Sequence, residues 1–473
     1  MNKEFNTTIG LEVHVQLSTK SKIFCSCSTK FGLPPNTNIC PICSGFPGVL
    51  PVFNREALRL GLRAAVALNC KINPIIYFER KNYFYPDLPK NYQISQYKSP
   101  LGYQGGLTID PGKRINIERV HLEEDAGKLI HKKGYSLVDF NRTGVPLLEI
   151  VSCPDMSGPQ EAFDYLYSLK LILQYIGVST CDMEKGYLRC DANISVKEKG
   201  ASTFGTKVEL KNMNSFKGVK AGLEYEVKRQ IKQLKNGKKV IQETRLWDAD
   251  NLKTVIMRSK EEACDYRYFP EPHLPDFKVQ RELIEREKDS LEELPDKRRE
   301  RFIKEYGFSK KESSLLIENK DLADFFEAAS NFYNQPKKIH KLLFGPFLEQ
   351  VKLLKEGLSS VKISAGDFAK VVKYFDQKKI NNLGVKKALA LAIAGKKDID
   401  RIIEAEGLVQ ISDEKGIEEV AEKVLAANLK AAQEYKQGKT QAIKFLIGQV
   451  MKETRGRANP QLVKKILERG LKE

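Results

Sequence analysis

The hydrophobic pattern of this 473-residue chain changes at Leu294-Pro295, and that change constrains the fold more than any other feature. Before it, short segments alternate apolar and polar residues as half-buried strands do, and longer segments have the spacing of amphipathic helices. After it, only Lys-, Glu- and Ala-rich helical periodicity continues, interrupted by turn signals such as Gly345-Pro346. The sequence therefore predicts a mixed α/β domain followed by all-α domains. Their predicted ranges are 1–295 for the α/β domain, 296–410 for a helical domain and 411–473 for a small helical tail domain.

Three predicted strands of the α/β domain carry polar residues along one face. Successive side chains of a strand point to opposite faces, so residues two apart lie side by side. The pairs that this alternation places together are Glu12 with His14, Asp191 with Asn193, and Glu209 with Lys211. A single polar face usually means contact with solvent. Three such faces, together with Glu-Glu-Asp at 123–125, would suit a magnesium–ATP site if they converge, because Mg²⁺ takes oxygen ligands and phosphoryl transfer needs cations.

The segment at residues 114–125 starts as another alternating strand, but its apolar phase shifts along the way. The apolar positions move from Ile115 and Ile117 to Val120 and Leu122. One extra residue near Glu118 explains such a shift. The sequence therefore predicts a β-bulge at this point.

Four of the nine cysteines fall within nineteen residues, as Cys25 and Cys27 followed by Cys40 and Cys43. Two thiolate pairs joined by a short loop can form a closed tetrahedral zinc site. The alternative is four unrelated cysteines, which so tight a cluster disfavours. We expect a structural Zn²⁺ site, since the spacing leaves no open coordination position.

The chain is basic, with 79 Lys and Arg against 61 Asp and Glu. Such an excess attracts a polyanion such as RNA, although it also favours solubility. It is strongest at the end, where residues 430–473 contain eleven basic against four acidic residues. Because no segment has the pattern of a signal peptide or a membrane span, we expect a cytoplasmic protein without a membrane association.

Residues 80–87 combine cations, aromatic rings and a turn, with Lys81 and Tyr83 among them. Such a segment can neutralise phosphate and stack on a base, or it can be a loop anchored by its rings. No G-x-x-x-x-G-K-[ST] phosphate loop is present in the sequence, so ATP, if used, is held in another way. A Ser-Ser-Lys amidase set is not recognisable either, because Ser359-Ser360 lies in the helical part without supporting context.

Several long motifs run through the chain. In the α/β domain they are IGLEVHVQL (9–17), RKNYFYPDLPKNYQISQY (80–97), HLEEDAGK (121–128), DFNRTGVPLLEIVS (139–152), LRCDANISV (188–196), FGTKVELKNMNSF (204–216), QETRLWD (242–248) and DYRYFPEP (265–272). In the helical part they are LVQISDE (408–414) and GQVMKETRGRANPQLVKKIL (448–467). These motifs resemble the GatB family, which comprises the B subunits of the aspartyl/glutamyl-tRNA(Asn/Gln) amidotransferases. The related archaeal E subunits carry a synthetase-like insertion for which this chain has no room.

This resemblance implies a cradle-shaped α/β catalytic domain, a helical domain and a helical tail that contacts tRNA. It implies a heterotrimer in which the A subunit hydrolyses glutamine to release ammonia and the small C subunit holds the assembly together. The B subunit would use Mg²⁺ and ATP to phosphorylate the side-chain carboxylate of Glu or Asp carried by tRNA(Gln) or tRNA(Asn). Ammonia from the A subunit then displaces phosphate. Which tRNA is used is left open by the sequence.

The resemblance also implies functional residues. It gives Glu12, His14 and Glu124 as Mg²⁺ ligands, with Glu123 as a weaker candidate. Glu124 falls on the apolar phase of its strand, so this assignment requires that the strand ends at Glu123 or that the phase is different. The residues implied to act on the substrates in the same cavity are Lys81, Tyr83, Arg142, Asp191 and Glu209. Family members that keep all four cysteines resemble zinc-binding proteins.

The competing hypothesis is a non-enzymatic adaptor that binds tRNA and zinc. In such a protein the carboxylates on the strand faces would be merely solvated. The two hypotheses differ in a simple property, because an adaptor needs no ATP.

Overall fold

The computed structural model describes residues 4–110, 112–259, 265–354, 357–395, 398–410, 413–454 and 456–471. The chain divides into two compact units, Met1–Lys297 and Arg298–Glu473. The first is mixed α/β, and among the described residues every regular element of the second is a helix, which confirms the predicted fold class. The finer division of the helical half near residue 410 stays a prediction.

The first unit is built around a nine-stranded sheet. The strands of this unit are β1 (Phe5–Gln16), β2 (Lys71–Ile72), β3 (Ile75–Ile76), β4 (Glu79–Asn82), β5 (Tyr92–Ser95), β6 (Gly102–Ile109), β7 (Lys113–Glu124), β8 (Lys128–Lys132), β9 (Tyr135–Asp139), β10 (Pro146–Ser152), β11 (Leu188–Glu198), β12 (Val208–Lys211), β13 (Glu243–Asp248), β14 (Lys253–Ser259), β15 (Phe269–Pro270) and β16 (Phe277–Lys278). The large sheet has the order β14-β13-β12-β11-β1-β10-β7-β6-β2. Among its described strands, only β12 and β13 pair in parallel. The small sheets are β15-β4-β5, β16-β3 and β8-β9.

The two faces of the large sheet differ in chemistry because its strands alternate apolar and polar residues. Along β1 the fully buried Leu11 and Val13 alternate with the half-buried Glu12 and His14. Helices cover the apolar face and form the core with it. These helices are α1 (Arg55–Ala67), α2 (Pro159–Tyr175) and α3 (Phe216–Lys235); the shorter α4 (Arg281–Asp289) packs against α1. The polar face therefore remains available for a functional site.

Strand β7 contains the predicted β-bulge. Arg119 pairs with Val151 of β10, whereas Ile117 pairs with Ser152, so Glu118 is the extra residue. The bulge lets both halves of β7 keep their apolar side chains towards the core. The predicted shift of phase is thus confirmed.

The second unit is a set of helices. They are α5 (Pro295–Tyr306), which starts just before the boundary, α6 (Lys310–Ile317), α7 (Lys320–Phe332), α8 (Pro336–Leu342), α9 (Leu348–Val351), α10 (Ala365–Asp376), α11 (Asn382–Ile393), α12 (Ile399–Ala405), α13 (Glu414–Ala427), α14 (Leu429–Lys436), α15 (Ala442–Glu453) and α16 (Pro460–Gly470). The last four share a hydrophobic cluster that includes Ile417, Leu446 and Leu467. Of the basic turn at 452–457, Arg455 lies outside the described residues. None of the described helices is long and apolar enough to cross a membrane.

Candidate active site

A cavity of about 580 Å³ lies on the polar face of the large sheet. Its floor is made by five adjacent strands, β12, β11, β1, β10 and β7. Its walls also include Gln93 and Ser95 of β5, Gln96 and Tyr97 just after it, and the more distant Tyr266 and Tyr268. The polar strand faces predicted from the sequence therefore do converge on one cavity.

The centre of the floor is a row of charged residues on four neighbouring strands. His14 on β1 pairs with Glu149 on β10, and Glu149 pairs in turn with His121 on β7. On its other side, His14 pairs with Arg189 on β11. Directly paired residues of adjacent strands have neighbouring side chains, so the sheet register itself assembles this row.

Two carboxylates and one imidazole form a group that could hold a metal ion. One ligand atom from each of His14, Glu123 and Glu149 lies within 4.8 Å of the other two. Nε2 of His14 is 3.5 Å from Oε1 of Glu123 and 3.4 Å from Oε2 of Glu149. Two carboxylates and a single imidazole are ligands that Mg²⁺ or Mn²⁺ accepts, with oxygen preferred by both.

Charges on this row shift the pKa values of its members. Burial opposes protonation of His121, but the carboxylates of Glu149 and Glu123 outweigh it and raise the pKa to about 9. The same balance, between burial and the carboxylate of Glu149, raises the pKa of His14. Burial would raise the pKa of Glu149, yet His121 and His14 hold it well below its usual range. The carboxylates of this row therefore favour the protonated imidazoles, and a metal ion would take the place of the proton on His14.

A buried carboxylate anchors one side of the cavity. Asp125 is 2% exposed, and its Oδ1 accepts a hydrogen bond from Nη2 of Arg189 at 2.9 Å. Oδ2 accepts from Nε2 of Gln16 at 2.9 Å and lies 3.5 Å from Nε of Arg142. Burial would raise the pKa of Asp125, but Arg189 and Arg142 outweigh it and lower the pKa. Asp125 thereby fixes the guanidinium of Arg189 on the cavity wall.

A second charged group occupies the floor on β11 and β12. Nζ of Lys211 donates to Asp191 and lies 3.0 Å from Oε1 of Glu209. The other oxygen of Glu209 accepts from Oγ1 of Thr244 at 2.8 Å. On the adjacent β1, Oε1 of Glu12 accepts from Nδ2 of Asn193 at 2.8 Å. This side of the floor thus presents carboxylates with an ammonium group between them.

The aromatic wall unites two motifs that are far apart in the sequence. Strand β4 pairs with both β5 and β15. Nζ of Lys81 lies 4.9 Å from the ring centroid of Tyr266, and the rings of Tyr83 and Tyr266 are 5.7 Å apart. Tyr97 and Tyr268 stack at 4.4 Å with an interplanar angle of 9°. Lys81 is therefore held against aromatic faces at the cavity wall, as cation–π attraction favours.

The four clustered cysteines come together outside this cavity. Their sulfur atoms all lie within 4.8 Å of one another, and those of Cys40 and Cys43 are 3.8 Å apart. A tetrahedral zinc site with Zn–S bonds of about 2.3 Å requires sulfur separations of about 3.8 Å. A hydrogen bond from the Cys25 thiol and the ammonium of Lys22 hold the pKa of Cys43 below its usual range. The cluster fits a closed tetrahedral thiolate site.

Comparison with known protein families matches both parts of the chain. Residues 7–285 match the GatB/GatE catalytic domain, and residues 324–471 match the GatB domain. The chain belongs to the GatB family. A relative from Carboxydothermus hydrogenoformans is 49% identical over 473 residues, covering 98% of both chains. Relatives from Brevibacillus brevis (98% of both chains) and Thermodesulfovibrio yellowstonii (99% of this chain, 100% of the relative) are each 48% identical. All three are named as the B subunit of aspartyl/glutamyl-tRNA(Asn/Gln) amidotransferase.

Membership in the GatB family confirms the resemblance inferred from the motifs. The cavity lies within the part of the chain that matches the catalytic domain. An enzyme is therefore favoured over the non-enzymatic adaptor.

Most of the residues implied by the GatB resemblance line the cavity, and two do not. Those on the cavity are Glu12, His14, Lys81, Tyr83, Glu123, Asp191 and Glu209. Arg142 does not line it: its Nε and Nη2 donate to the backbone oxygens of Ala126 and Gly127. It is connected to the cavity by its ion pair with Asp125, which lines the cavity.

Glu124 is the second exception, because the structure does not place it in the cavity beside Glu12 and His14, where it was expected as a metal ligand. Strand β7 continues to Glu124, so this residue keeps the apolar phase and points away from the cavity. Its Oε1 lies 2.5 Å from Nζ of Lys90 and accepts from the backbone N–H of Ile94 at 2.8 Å. Glu123, the weaker candidate, is the neighbour that reaches His14.

Several cavity residues of this GatB chain were not identified from the sequence. Glu149 is the most important, and His121 and Arg189 are two more. Strand β10 is buried along its whole length, so no alternation marks one of its faces as polar. The available signal was the single carboxylate in the apolar run at 145–151.

Proposed function

We propose that this chain activates the side-chain carboxylate of Glu or Asp on misacylated tRNA(Gln) or tRNA(Asn) by ATP-dependent phosphorylation. It acts as the B subunit of a cytoplasmic heterotrimer, together with the A subunit, an amidase that supplies ammonia, and the small C subunit. The observation that carries the proposal is the grouping of His14, Glu123 and Glu149 in one cavity with several cationic side chains. A carboxylate is a poor electrophile, and conversion into an acyl phosphate gives it a good leaving group.

His14, Glu123 and Glu149 are the residues that would hold Mg²⁺, and Glu12 lies on the same strand face as His14. A bound Mg²⁺ supplies positive charge that offsets the charge of phosphate oxygens during phosphoryl transfer. The donor set fits this ion because two of its three members are carboxylates. His121 supports the set by its contact with Glu149, at 3.2 Å between Nε2 and Oε2.

Cationic side chains around the cavity would bind the phosphate groups of ATP. Lys81, Arg189, Lys207 and Lys211 all line it. Fixed positive charges in a partly buried cavity stabilise the charge that develops on phosphate oxygens. Asp191 and Glu209 keep Lys211 in place through their contacts with its ammonium group.

The cluster of Cys25, Cys27, Cys40 and Cys43 would hold a structural Zn²⁺. Four thiolates satisfy the ion completely and leave no position for a substrate. The ion would hold together the loop that contains all four cysteines. We propose no direct part for it in the reaction.

The helical tail would contact tRNA through phosphate groups. Lys444, Lys452 and Arg457 are exposed on its surface, and the tail has a strong basic excess. Phosphate contacts release counterions and so give a binding affinity that depends on salt.

Cleavage of ATP by the reconstituted heterotrimer tests this function. We expect cleavage to be stimulated by Glu-tRNA(Gln) or Asp-tRNA(Asn), and not by the same tRNA without its amino acid. Testing both charged tRNAs also identifies the substrate. A complex that binds the charged tRNA without cleaving ATP would support the adaptor hypothesis instead.

A further inference from the structure

One wall of the cavity carries a buried amide whose hydrogen-bond donor has no partner among the described residues. Gln96 follows β5, lines the cavity and is 1% exposed. Its Oε1 accepts from the backbone N–H of Leu122 at 2.9 Å. Because a backbone N–H can only donate, it must face the amide oxygen, and this fixes the orientation of the side chain. The NH₂ group is thereby left without an acceptor in the described part of the chain.

A second unsatisfied donor lies on the floor strand β7, to which Gln96 is hydrogen-bonded. Arg119 is on β7, three residues before Leu122, and it also lines the cavity. Its Nη1 donates to Oε1 of Glu118 at 2.8 Å, whereas its buried Nε has no partner among the described residues. Arg119 is a residue of β7, and Gln96 is hydrogen-bonded to Leu122 of the same strand. This side of the cavity thus combines a fixed amide donor with a guanidinium group.

Both groups are hydrogen-bond donors, and a negatively charged oxygen atom would be a suitable acceptor for them. Buried polar groups in proteins nearly always have partners, and an unsatisfied one is costly. A guanidinium group favours an anionic acceptor over a neutral one, because hydrogen bonds between ionised partners are stronger. Ser95, the neighbour of Gln96, donates to Oε2 of Glu123 at 3.2 Å, so this wall adjoins the proposed metal ligands.

We infer that Gln96 and Arg119 form an oxyanion subsite that binds a carboxylate or phosphate oxygen of the substrates. The inference rests on the proposed function, because it assigns a role to part of the same cavity. Two substrates carry this chemistry, namely the phosphate groups of ATP and the side-chain carboxylate of the tRNA-bound amino acid. In both cases Gln96 and Arg119 would donate to the oxyanion beside Glu123 and orient it for transfer.

The Gln96→Glu variant tests the subsite in the assembled heterotrimer. The new carboxylate keeps an acceptor for the N–H of Leu122 but replaces the donor by an oxygen that repels an anion. We expect kcat/KM for tRNA-dependent ATP cleavage to fall about tenfold to a hundredfold, as loss of a hydrogen bond to a charged group predicts. The matched control is Gln104→Glu, which makes the same charge change at an exposed position of β6. The control should retain full activity.

Arg119→Gln is the second variant, and it tests the subsite independently if Gln96→Glu fails to fold. Arg119 has 30% of its side chain exposed, so its replacement should leave the unfolding temperature nearly unchanged. The same loss of kcat/KM is expected. Thermal unfolding of every variant identifies any that is unstable.

Binding measurements distinguish the two sources of the oxyanion. If the subsite binds phosphate, both variants weaken the binding of ADP but not of adenosine. If it binds the amino acid carboxylate, ADP binding is unchanged and KM for the charged tRNA rises. Folded variants that stay within about twofold of wild type in ATP cleavage, ADP affinity and KM for tRNA would overturn the inference. A wild-type complex without tRNA-dependent ATP cleavage would instead contradict the proposed function, while the ADP and adenosine arm would still test the subsite.

Discussion

The carboxylate of Glu149 faces the imidazole of His14 across two adjacent strands, with 3.4 Å between Oε2 and Nε2. The same Oε2 lies 3.2 Å from Nε2 of His121 on the other neighbouring strand. A carboxylate from a fully buried strand therefore stands at the centre of the polar floor. It contacts a histidine on each side of its own strand.

Glu123 and Glu124 are adjacent in sequence, but replacement by Gln should change the Mg²⁺ requirement at the first and the stability at the second. Glu123→Gln removes a carboxylate from the proposed metal-binding group, so we expect the Mg²⁺ concentration for half-maximal ATP cleavage to rise about tenfold or more. Glu124→Gln should leave this concentration unchanged, because its carboxylate contacts Lys90 on the other face of the strand. It should instead lower the free energy of unfolding by about 1–3 kcal/mol, since Lys90 loses a buried partner.

A magnesium titration of ATP cleavage and a denaturant melt of each variant provide the measurement. An equal rise in the Mg²⁺ requirement of both variants would show that the two side chains share one site. That result would contradict the geometry of β7.

The cysteine cluster should bind one zinc ion per chain. Cys40→Ser should reduce the zinc content and lower the unfolding temperature, because three thiolates leave the ion incompletely bound. Cys153→Ser is the matched control: this half-buried thiol lies outside the cluster, and its replacement should cost less than about 0.5 kcal/mol. Metal analysis and thermal unfolding measure both effects. A structural zinc site would be excluded if the wild-type protein contained no zinc and chelators did not change its unfolding temperature.

Exposed cations of the tail should govern the salt dependence of tRNA binding. Lys444→Ala and Lys452→Ala remove one cation each from the surface of α15. Each lost phosphate contact should reduce the slope of log affinity against log salt by about 1. Affinities measured over a range of salt concentrations check this. Lys217→Ala, at an exposed position of α3 in the other unit, is the control and should leave the slope unaltered. If the two tail variants also leave it unaltered, the tail does not contact phosphate through these residues.

The parts of the site that were predictable from the sequence depend on local rules. Alternation along β1 placed Glu12 and His14 together, and the phase shift in β7 located the bulge at Glu118. Both follow from the geometry of a single strand. Glu124 is a further residue whose position follows from the periodicity of its strand. The periodicity placed it on the apolar face, and the structure agrees with the periodicity rather than with the residue carried over from the resemblance.

What the sequence did not reveal depends on the order of the strands. Glu149 reaches His14 and His121 only because β10 lies between β1 and β7. That order brings together residues that are 135 and 28 positions apart along the chain, and no local pattern encodes it. In the same way, Arg189 on β11 meets Asp125, which follows β7, only because β1 and β10 bring these two strands to the same cavity.

Glu149 is proposed to belong to the metal-binding group at which ATP is cleaved. The most direct test is ATP cleavage by the heterotrimer with charged tRNA, comparing wild type with Glu149→Gln. Glu224→Gln, at an exposed position of α3, serves as the control. We predict that Glu149→Gln loses tRNA-dependent ATP cleavage by about a hundredfold or more, while glutamine hydrolysis by the amidase persists and the control stays active. Near-normal ATP cleavage by a folded Glu149→Gln complex would show that Glu149 is not part of the site at which ATP is cleaved.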